Sequence, residues 1–161
     1  MDPGSRSRCI VVGYDGSPAS RAALAHAADR AGEDGKVWVV HAYAVPTDWI
    51  AGPPFQELLD IQLNRARDLM AALKAESGAD LHGVSWEAEV IGDPPARAIA
   101  HVAATRDADE IVLGTRGFGR ARALLGSVAH EVIHLAECPV TVIPERAVER
   151  AEARAKSRAA S

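Results

Sequence analysis

Residues 8–18 read RCIVVGYDGSP, and this stretch decides the fold of the chain. Its first half is a short β-branched run that ends in Gly13, which is typical of a buried strand. Its second half is turn chemistry followed by a helix start, because Ser17 suits the N-cap and the ring of Pro18 suits the first helical position. A strand that turns directly into a helix is the opening unit of an α/β sheet.

The same alternation continues along most of the chain. The strands are predicted over residues 8–13, 36–43, 84–90, 109–114 and 140–143. The helices are predicted from Pro18 to Ala31, over 55–76, from Pro94 to Arg106 with Asp93 as N-cap, and from Ser127 to the Cys138-Pro139 pair. This βαβαβαβαβ order predicts an α/β fold: a single-domain doubly wound sheet of five mainly parallel strands, in the order 3-2-1-4-5, with helices on both faces.

The composition is that of an ordinary globular domain and argues against several functions. Apolar residues make up 48% and charged residues 25% of the 161 residues. The net charge of -4 argues against nucleic acid as a partner, because phosphates require a basic face. No apolar run is long enough to cross a bilayer and the first residues lack the apolar core of a signal peptide, so we expect a cytoplasmic protein with no membrane partner. Cys9 and Cys138 form no disulfide framework and are expected to be small buried hydrophobic side chains.

The loop after the fourth strand is the first candidate for a binding site. In doubly wound sheets ligands bind beyond the carboxyl ends of the strands where the strand order reverses, which here means after strands one and four. Residues 114–127 read GTRGFGRARALLGS. Glycines at 114 and 117 would let backbone amides approach a ligand without a Cβ in the way, although such loops often serve only as turns. The loop lacks the lysine of a P-loop. It carries positive charge at Arg116, Arg120 and Arg122.

The helix that begins at Ser127 offers the second half of this site. Gly126 and Ser127 stand at its N-terminus, and we expect its first amides, those of Val128, Ala129 and His130, to lack intrahelical partners. Free amides and the helix dipole together attract anions, most commonly phosphate. Ser127 can either cap the helix or turn its hydroxyl to a phosphate.

Four pieces of the sequence stand in order along the chain: IVVGYDGS (10–17), GDPPARAI (92–99), ADEIVLGTRGFG (108–119) and LLGSVAHEVIHLAECPVTVIP (124–144). Together they resemble the universal stress protein family. The resemblance implies a universal stress protein domain over 8–144, with residues 1–7 as an N-terminal extension. Residues 145–161 would form a polar tail that is frayed helix or disordered.

Members of this family that bind ATP resemble one another in a loop of the form G-x2-G-x9-G-[ST], and other members bind none. The present chain keeps Gly114, Gly117, Gly126 and Ser127, but eight residues rather than nine separate the second and third glycines. Ala129 stands where ATP-binding members often have a hydroxyl residue. The loop therefore matches the binding type except for one missing residue and one missing hydroxyl.

The resemblance implies a site for ATP with Mg2+. Asp15, after Tyr14 at the end of strand one, would contact the ribose or adenine, unless it only forms a turn. Ala42 and Tyr43 would offer backbone groups to the adenine edge. The loop after strand four would line the ribose and phosphates, and the helix start would hold the terminal phosphates. The implied set is Tyr14, Asp15, Ala42, Tyr43, Leu113, Gly114, Arg116, Gly117, Gly126, Ser127, Val128 and Ala129.

The implied function is that of an ATP-binding regulatory module in the stress response. No general base or activated nucleophile is placed beside the loop, so we expect slow ATP hydrolysis at most. A homodimer through the last strand, Val140–Ile143, is usual in the family and would cover a free sheet edge. The alternative is a nucleotide-free dimeric stress protein of the same fold, which the short loop and Ala129 favour.

The stretch HEVIH, His130–His134, matches the H-E-x-x-H signature of zinc peptidases. On a helical wheel both histidines fall on the outer arc, opposite an apolar arc that must face the sheet. That apolar arc contains Val128, Ala129, Val132, Ile133 and Ala136. A zinc peptidase needs its histidine pair to face a cleft with a third ligand nearby, so the metallopeptidase is a remote alternative.

Overall fold

The computed structural model describes residues 7–44, 53–81, 83–115 and 125–144, and in the tail residues 146, 147, 149, 150 and 153. Nine elements alternate within these ranges. The strands are β1 (Cys9–Gly13), β2 (Lys36–Ala42), β3 (Ser85–Ile91), β4 (Glu110–Gly114) and β5 (Val140–Ile143). The helices are α1 (Pro18–Ala31), α2 (Pro53–Asp80), α3 (Pro95–Thr105) and α4 (Ser127–Leu135). The predicted site residues Arg116 and Gly117, and the loop arginines Arg120 and Arg122, lie outside the described residues.

The five strands form one parallel sheet in the order β3-β2-β1-β4-β5, which confirms the predicted fold. The central strand is buried on both faces: Ile10, Val11 and Val12 have no exposed surface. Such a strand is a continuous apolar run rather than an alternating one, as expected for a parallel sheet covered by helices. Ile10 and Val12 belong to the apolar core with α1 and α2, and Val11 belongs to the core with α3 and α4.

The predicted ends of α1 are confirmed. Ser17 is the N-cap, and its hydroxyl accepts a hydrogen bond of 3.2 Å from the Ser20 N–H. Pro18 occupies the first helical position. The helix ends at Gly32, whose φ of 69° lies in the left-handed region where glycine carries no Cβ penalty.

The start of α3 differs from the prediction by one residue. Pro94, not Asp93, is the N-cap, and Pro95 takes the first helical position. Pro94 precedes a proline, and a residue in that place is kept out of the helical region by the following ring. Its φ of -49° and ψ of 128° are accordingly extended, so the helix begins one position later.

Helix α2 is longer than predicted, with 28 residues and therefore a length of about 42 Å. Its buried side chains begin at Ala66, whereas Leu58 and Ile61 are 38% and 41% exposed. Leu69 lies against Gly16 in the loop after β1. Helix α2 therefore reaches the loop after β1 through Leu69. None of the helices described is both long and apolar enough to cross a membrane.

Candidate functional site

The switch point between β1 and β4 lies at the centre of the sheet. β1 ends at Gly13 and β4 at Gly114, and the two strands are direct neighbours. The chain after β1 enters α1, and the chain after β4 leads to α4. The carboxyl edge therefore brings together the residues following β1, β2 and β4, which is where the predicted site lies.

Asp15 follows β1 and is held in a tight turn. Its Oδ1 atom accepts a hydrogen bond of 2.9 Å from the Ser17 N–H, which makes an Asx turn. The Asp15 N–H donates to the Ser20 hydroxyl at 3.4 Å, and that hydroxyl donates to the Ser17 carbonyl at 3.0 Å. Ser17 and Ser20 are buried, whereas Asp15 is exposed. The turn uses one carboxylate oxygen and leaves the side chain at the surface, so the turn role and a ligand role are compatible.

Ser20 is a supporting residue that the sequence reasoning missed. Its place three residues after the serine N-cap is the available signal, because a polar side chain there can reach back to amides that precede the helix. Its hydroxyl bridges the turn and the first turn of α1.

Gly114 at the end of β4 is explained by packing rather than by ligand approach. A Cβ at this position would lie 2.7 Å from the Ala19 Cβ and 2.8 Å from the Ala19 carbonyl carbon. A Cβ at Gly13 would lie 2.6 Å from Leu113 Cδ2. These distances are shorter than atoms tolerate, so glycine allows both strands to end directly against the neighbouring elements.

The two ends of the glycine-rich loop are joined by hydrogen bonds. The Gly126 N–H donates to the Thr115 carbonyl at 2.7 Å, and the Thr115 N–H donates to the Ile143 carbonyl at 2.9 Å. The loop thus leaves and returns at the same point beside β5. This closure places the N-terminus of α4 next to the end of β4.

The free amides of α4 lie one residue earlier than predicted. Gly126 is the N-cap, with φ -61° and ψ 153°, and no side-chain hydrogen bond caps this end among the described residues. The His130 N–H donates to the Gly126 carbonyl at 2.9 Å, so the prediction that this amide is free was wrong. The amides without intrahelical acceptors are those of Ser127, Val128 and Ala129. Ser127 is exposed, and its hydroxyl is not used as a cap.

Ala129 can serve a phosphate only through its backbone. Its side chain is buried in the core between α3, α4 and the sheet. The N–H at this position points towards the helix start, as in any first turn.

Ala42 and Tyr43 differ in the direction of their backbone groups. In a parallel sheet, alternate residues of a strand bond to opposite neighbours. The Tyr43 N–H donates to the Ile91 carbonyl at 3.0 Å, on the β3 side. The Val40 carbonyl accepts from the Tyr14 N–H at 2.9 Å, on the β1 side. Ala42, two residues after Val40, therefore directs its N–H and C=O towards the end of β1, where the site lies. The ring of Tyr43 lies against Gly92 instead.

The HEVIH histidines lie on the outer surface of α4. The rings of His130 and His134 meet edge to face, with centroids 4.9 Å apart, and both residues are exposed. Among the described residues, no group of three or more histidines, cysteines and carboxylates could hold a metal ion. Ile133 was predicted to face the sheet, but it is 48% exposed. The reason is that α4 covers the sheet near its edge strand, so only a narrow arc around Ala129 and Val132 is buried.

The amino edge of the sheet, opposite the site, holds both cysteines. Cys9 begins β1 and Cys138 precedes β5, and both are half-buried against the core. Burial raises the pKa of the Cys138 thiol, and the carboxylates of Asp109 and Glu110 raise it further. Glu110 is buried and is satisfied by Arg30 at 3.2 Å and by the Thr141 hydroxyl at 2.5 Å. The raised pKa makes the Cys138 thiol a poor nucleophile.

Comparisons with known proteins match nearly the whole described domain. The model of the universal stress protein family matches residues 7–144. A universal stress protein of Thermus aquaticus is 36% identical over 138 residues, which cover 84% of this chain and 98% of that protein.

Two solved structures of similar fold contain nucleotides. One is the universal stress protein from Archaeoglobus fulgidus in complex with dAMP, at 28% identity and a TM-score of 0.61, covering 84% of this chain and 97% of that one. The other is a universal stress protein in complex with cAMP, at 25% identity and a TM-score of 0.56, covering 88% of this chain and 99% of that one.

Proposed function

This chain belongs to the universal stress protein family, and from that premise we propose that it binds an adenine nucleotide, ATP with Mg2+, at the carboxyl edge of the sheet. The single observation that carries the proposal is the α4 N-terminus, with three amides lacking intrahelical acceptors beside the ends of β1 and β4. Relatives of the same fold in complex with dAMP and cAMP support an adenine nucleotide as the occupant.

The phosphate end of the proposed site is formed by α4. The amides of Ser127, Val128 and Ala129 and the positive end of the helix dipole suit a terminal phosphate. The exposed Ser127 hydroxyl supplies an oxygen that suits a phosphate-bound Mg2+, an ion that prefers oxygen ligands and keeps several waters. Arg116 and Gly117 remain part of the proposal on the strength of their place in the loop sequence.

The base and ribose end of the proposed site is formed after β1 and β2. Ala42 directs both backbone polar groups towards this place, which suits the paired donor and acceptor of an adenine edge. Asp15 presents an exposed carboxylate, and a carboxylate readily accepts hydrogen bonds from ribose hydroxyls. The remaining residues at this end are Tyr14, Leu113 and Gly114. Tyr14 directly follows β1 and Leu113 lies near the end of β4, and both are buried, so they support the exposed groups from the core side. Tyr43 stays in the proposed set only on the strength of its place after β2, since its N–H is bonded to Ile91 and its ring lies against Gly92.

The proposed role is regulatory, with slow hydrolysis at most and a cytoplasmic location. Around the α4 N-terminus, the part of the chain that the structure describes contains no nucleophile paired with a base. Binding of ATP would therefore act mainly by stabilising the folded chain and ordering its carboxyl edge.

The test is detection of nucleotide in freshly purified protein by mass spectrometry, followed by calorimetric titration with ATP and Mg2+. We expect bound adenine nucleotide and a rise in melting temperature, since ligand at one hundred times Kd stabilises a fold by about 2.7 kcal/mol. The nucleotide-free dimeric protein would be favoured if the purified protein contains no nucleotide, the titration gives no heat of binding, and the melting temperature does not change. The short loop and the buried methyl of Ala129 are the observations that favour that second candidate.

A further inference from the structure

The hydrogen-bonded ladder between β1 and β2 stops at the proposed base site. The last paired residues are Gly13 and Val40, and the Tyr14 N–H adds one more bond to the Val40 carbonyl at 2.9 Å. In a regular parallel ladder, the next bond would run from the Ala42 N–H to the Tyr14 carbonyl. Among the described residues, no acceptor is bonded to that Ala42 N–H.

A side chain takes the place of the missing bond. The Nδ1 atom of His41 lies 2.9 Å from the Tyr14 carbonyl oxygen. A carbonyl oxygen only accepts hydrogen bonds, so Nδ1 must carry the proton and donate. The imidazole of His41 thus holds the same carbonyl oxygen that the Ala42 N–H would bond in a regular ladder, and it fixes the orientation of that carbonyl.

The ladder on the other side of β2 does not stop at the same level. The Tyr43 N–H donates to the Ile91 carbonyl at 3.0 Å, and Ala42 is still paired with Ile91 in register. The pairing of β2 therefore ends earlier on the β1 side than on the β3 side. The polar groups of Ala42 point to the β1 side, beyond the last paired residues and towards the turn that contains Asp15.

We infer that His41 is a positioning residue, which ends the β1–β2 ladder one bond early and keeps the Ala42 backbone available to the base of the nucleotide. This inference rests on the proposed function for the identity of the ligand. It does not require His41 to touch the nucleotide. The imidazole acts through Tyr14, whose carbonyl it holds, and so also orients the peptide that leads to Asp15.

Two isosteric substitutions separate the nitrogen atoms of the ring. Asparagine places its amide nitrogen close to the position of Nδ1, whereas glutamine places it close to the position of Nε2. We expect His41→Asn to retain ATP affinity within about threefold, and His41→Gln to weaken it by about tenfold, as for the loss of one well-aligned hydrogen bond. Both variants should melt within a few degrees of the wild type.

Tripolyphosphate serves as the probe that distinguishes positioning of the base from general damage to the fold. It reaches the α4 N-terminus but has no base, so its affinity should be equal in the wild type and both variants. Equal losses of ATP affinity in the two variants would overturn the inference. Loss of tripolyphosphate binding in parallel with ATP would overturn it as well.

Amide hydrogen exchange tests the ladder without any ligand. In His41→Gln the Ala42 N–H is free to close on the Tyr14 carbonyl, so its exchange should slow by about tenfold or more relative to the wild type. In His41→Asn the Ala42 N–H should exchange at the same rate as in the wild type. A wild type that binds no ATP would overturn the proposed function, and unchanged Ala42 exchange in His41→Gln would overturn the role of His41 in the ladder.

Discussion

Close contacts at single residues hold the carboxyl edge together. Gly114 lets β4 end against the first turn of α1, and the Ser17 N–H and the Ser20 hydroxyl hold the Asp15 turn. Glycine at 114 is predicted from the loop motif for contact with a ligand. The distances to Ala19 give it a packing role that the motif alone does not show.

Gly114→Ala tests this packing role. The added Cβ would meet the backbone of Ala19, which cannot turn aside as a flexible side chain can, so we expect a loss of about 2–3 kcal/mol in unfolding free energy. Urea denaturation measures it. Gly83→Ala is the matched control, because Gly83 has a φ of 82° but a Cβ added there would meet no atom within 4 Å, so only backbone strain of about 1–2 kcal/mol applies. A smaller loss at 114 than at 83 would contradict the packing argument.

At the scale of elements, the two helices that begin at the site are capped in different ways. α1 has a side-chain cap from Ser17, which is buried and uses its hydroxyl within the helix start. α4 has a glycine N-cap and an exposed Ser127, so its first amides remain unshared by any described side chain. The first arrangement stabilises a helix, and the second leaves amides that suit an anion.

A pair of serine substitutions tests this difference. Ser17→Ala should lower the unfolding free energy by about 1 kcal/mol, because it removes the cap of α1. Ser127→Ala should change stability by less than about 0.5 kcal/mol, since its hydroxyl caps nothing among the described residues. Thermal or urea unfolding measures both.

For ligand binding the order of the two effects should reverse, so that Ser127→Ala lowers the affinity for ATP more than Ser17→Ala does. Ser127→Ala should weaken ATP with Mg2+ by about three- to tenfold if its hydroxyl contacts the phosphate or the metal. A large stability loss in Ser127→Ala would show that the hydroxyl is structural after all.

At the scale of the whole molecule, β5 is an edge strand with its outer side unpaired within the described chain. The Ile111 N–H bonds to the Pro139 carbonyl and the Thr115 N–H to the Ile143 carbonyl, so the odd-numbered residues of this strand face β4. Val140 and Val142 therefore direct their backbone groups outwards. Ile133 and Leu135 of α4, which are 48% and 44% exposed, add apolar surface. We propose that a second copy of the chain pairs with this edge.

Val142→Pro should convert the proposed dimer to a monomer. Proline removes the outward N–H while leaving the ladder to β4 intact, and edge strands tolerate it. Val142→Ala is the matched control, because it loses side-chain packing to a similar extent but keeps the N–H. Light scattering should give a dimer for the wild type and the alanine variant. A dimeric proline variant would place the interface elsewhere.

Sequence by itself determined the α/β class and the caps of α1. These features follow from local chemistry: short β-branched runs ending in glycine, a Ser-Pro helix start, and the alternation of strands with helices. The expected strand order is confirmed by the structure, because alternation and handedness alone also allow other doubly wound orders. The family was also readable from the motif pieces, which lie at the ends of predicted strands.

Only the tertiary structure decided which backbone groups face the proposed site. Whether Gly126 or Ser127 caps α4, whether Ala42 or Tyr43 faces β1, and whether the His41 ring replaces a ladder bond all depend on the register between separate segments. A shift of one residue exchanges the two sides of a strand or moves a helix cap. Local sequence patterns locate the end of a helix or strand only to within one or two residues. Hydrogen bonds across the sheet fix the position of each single residue.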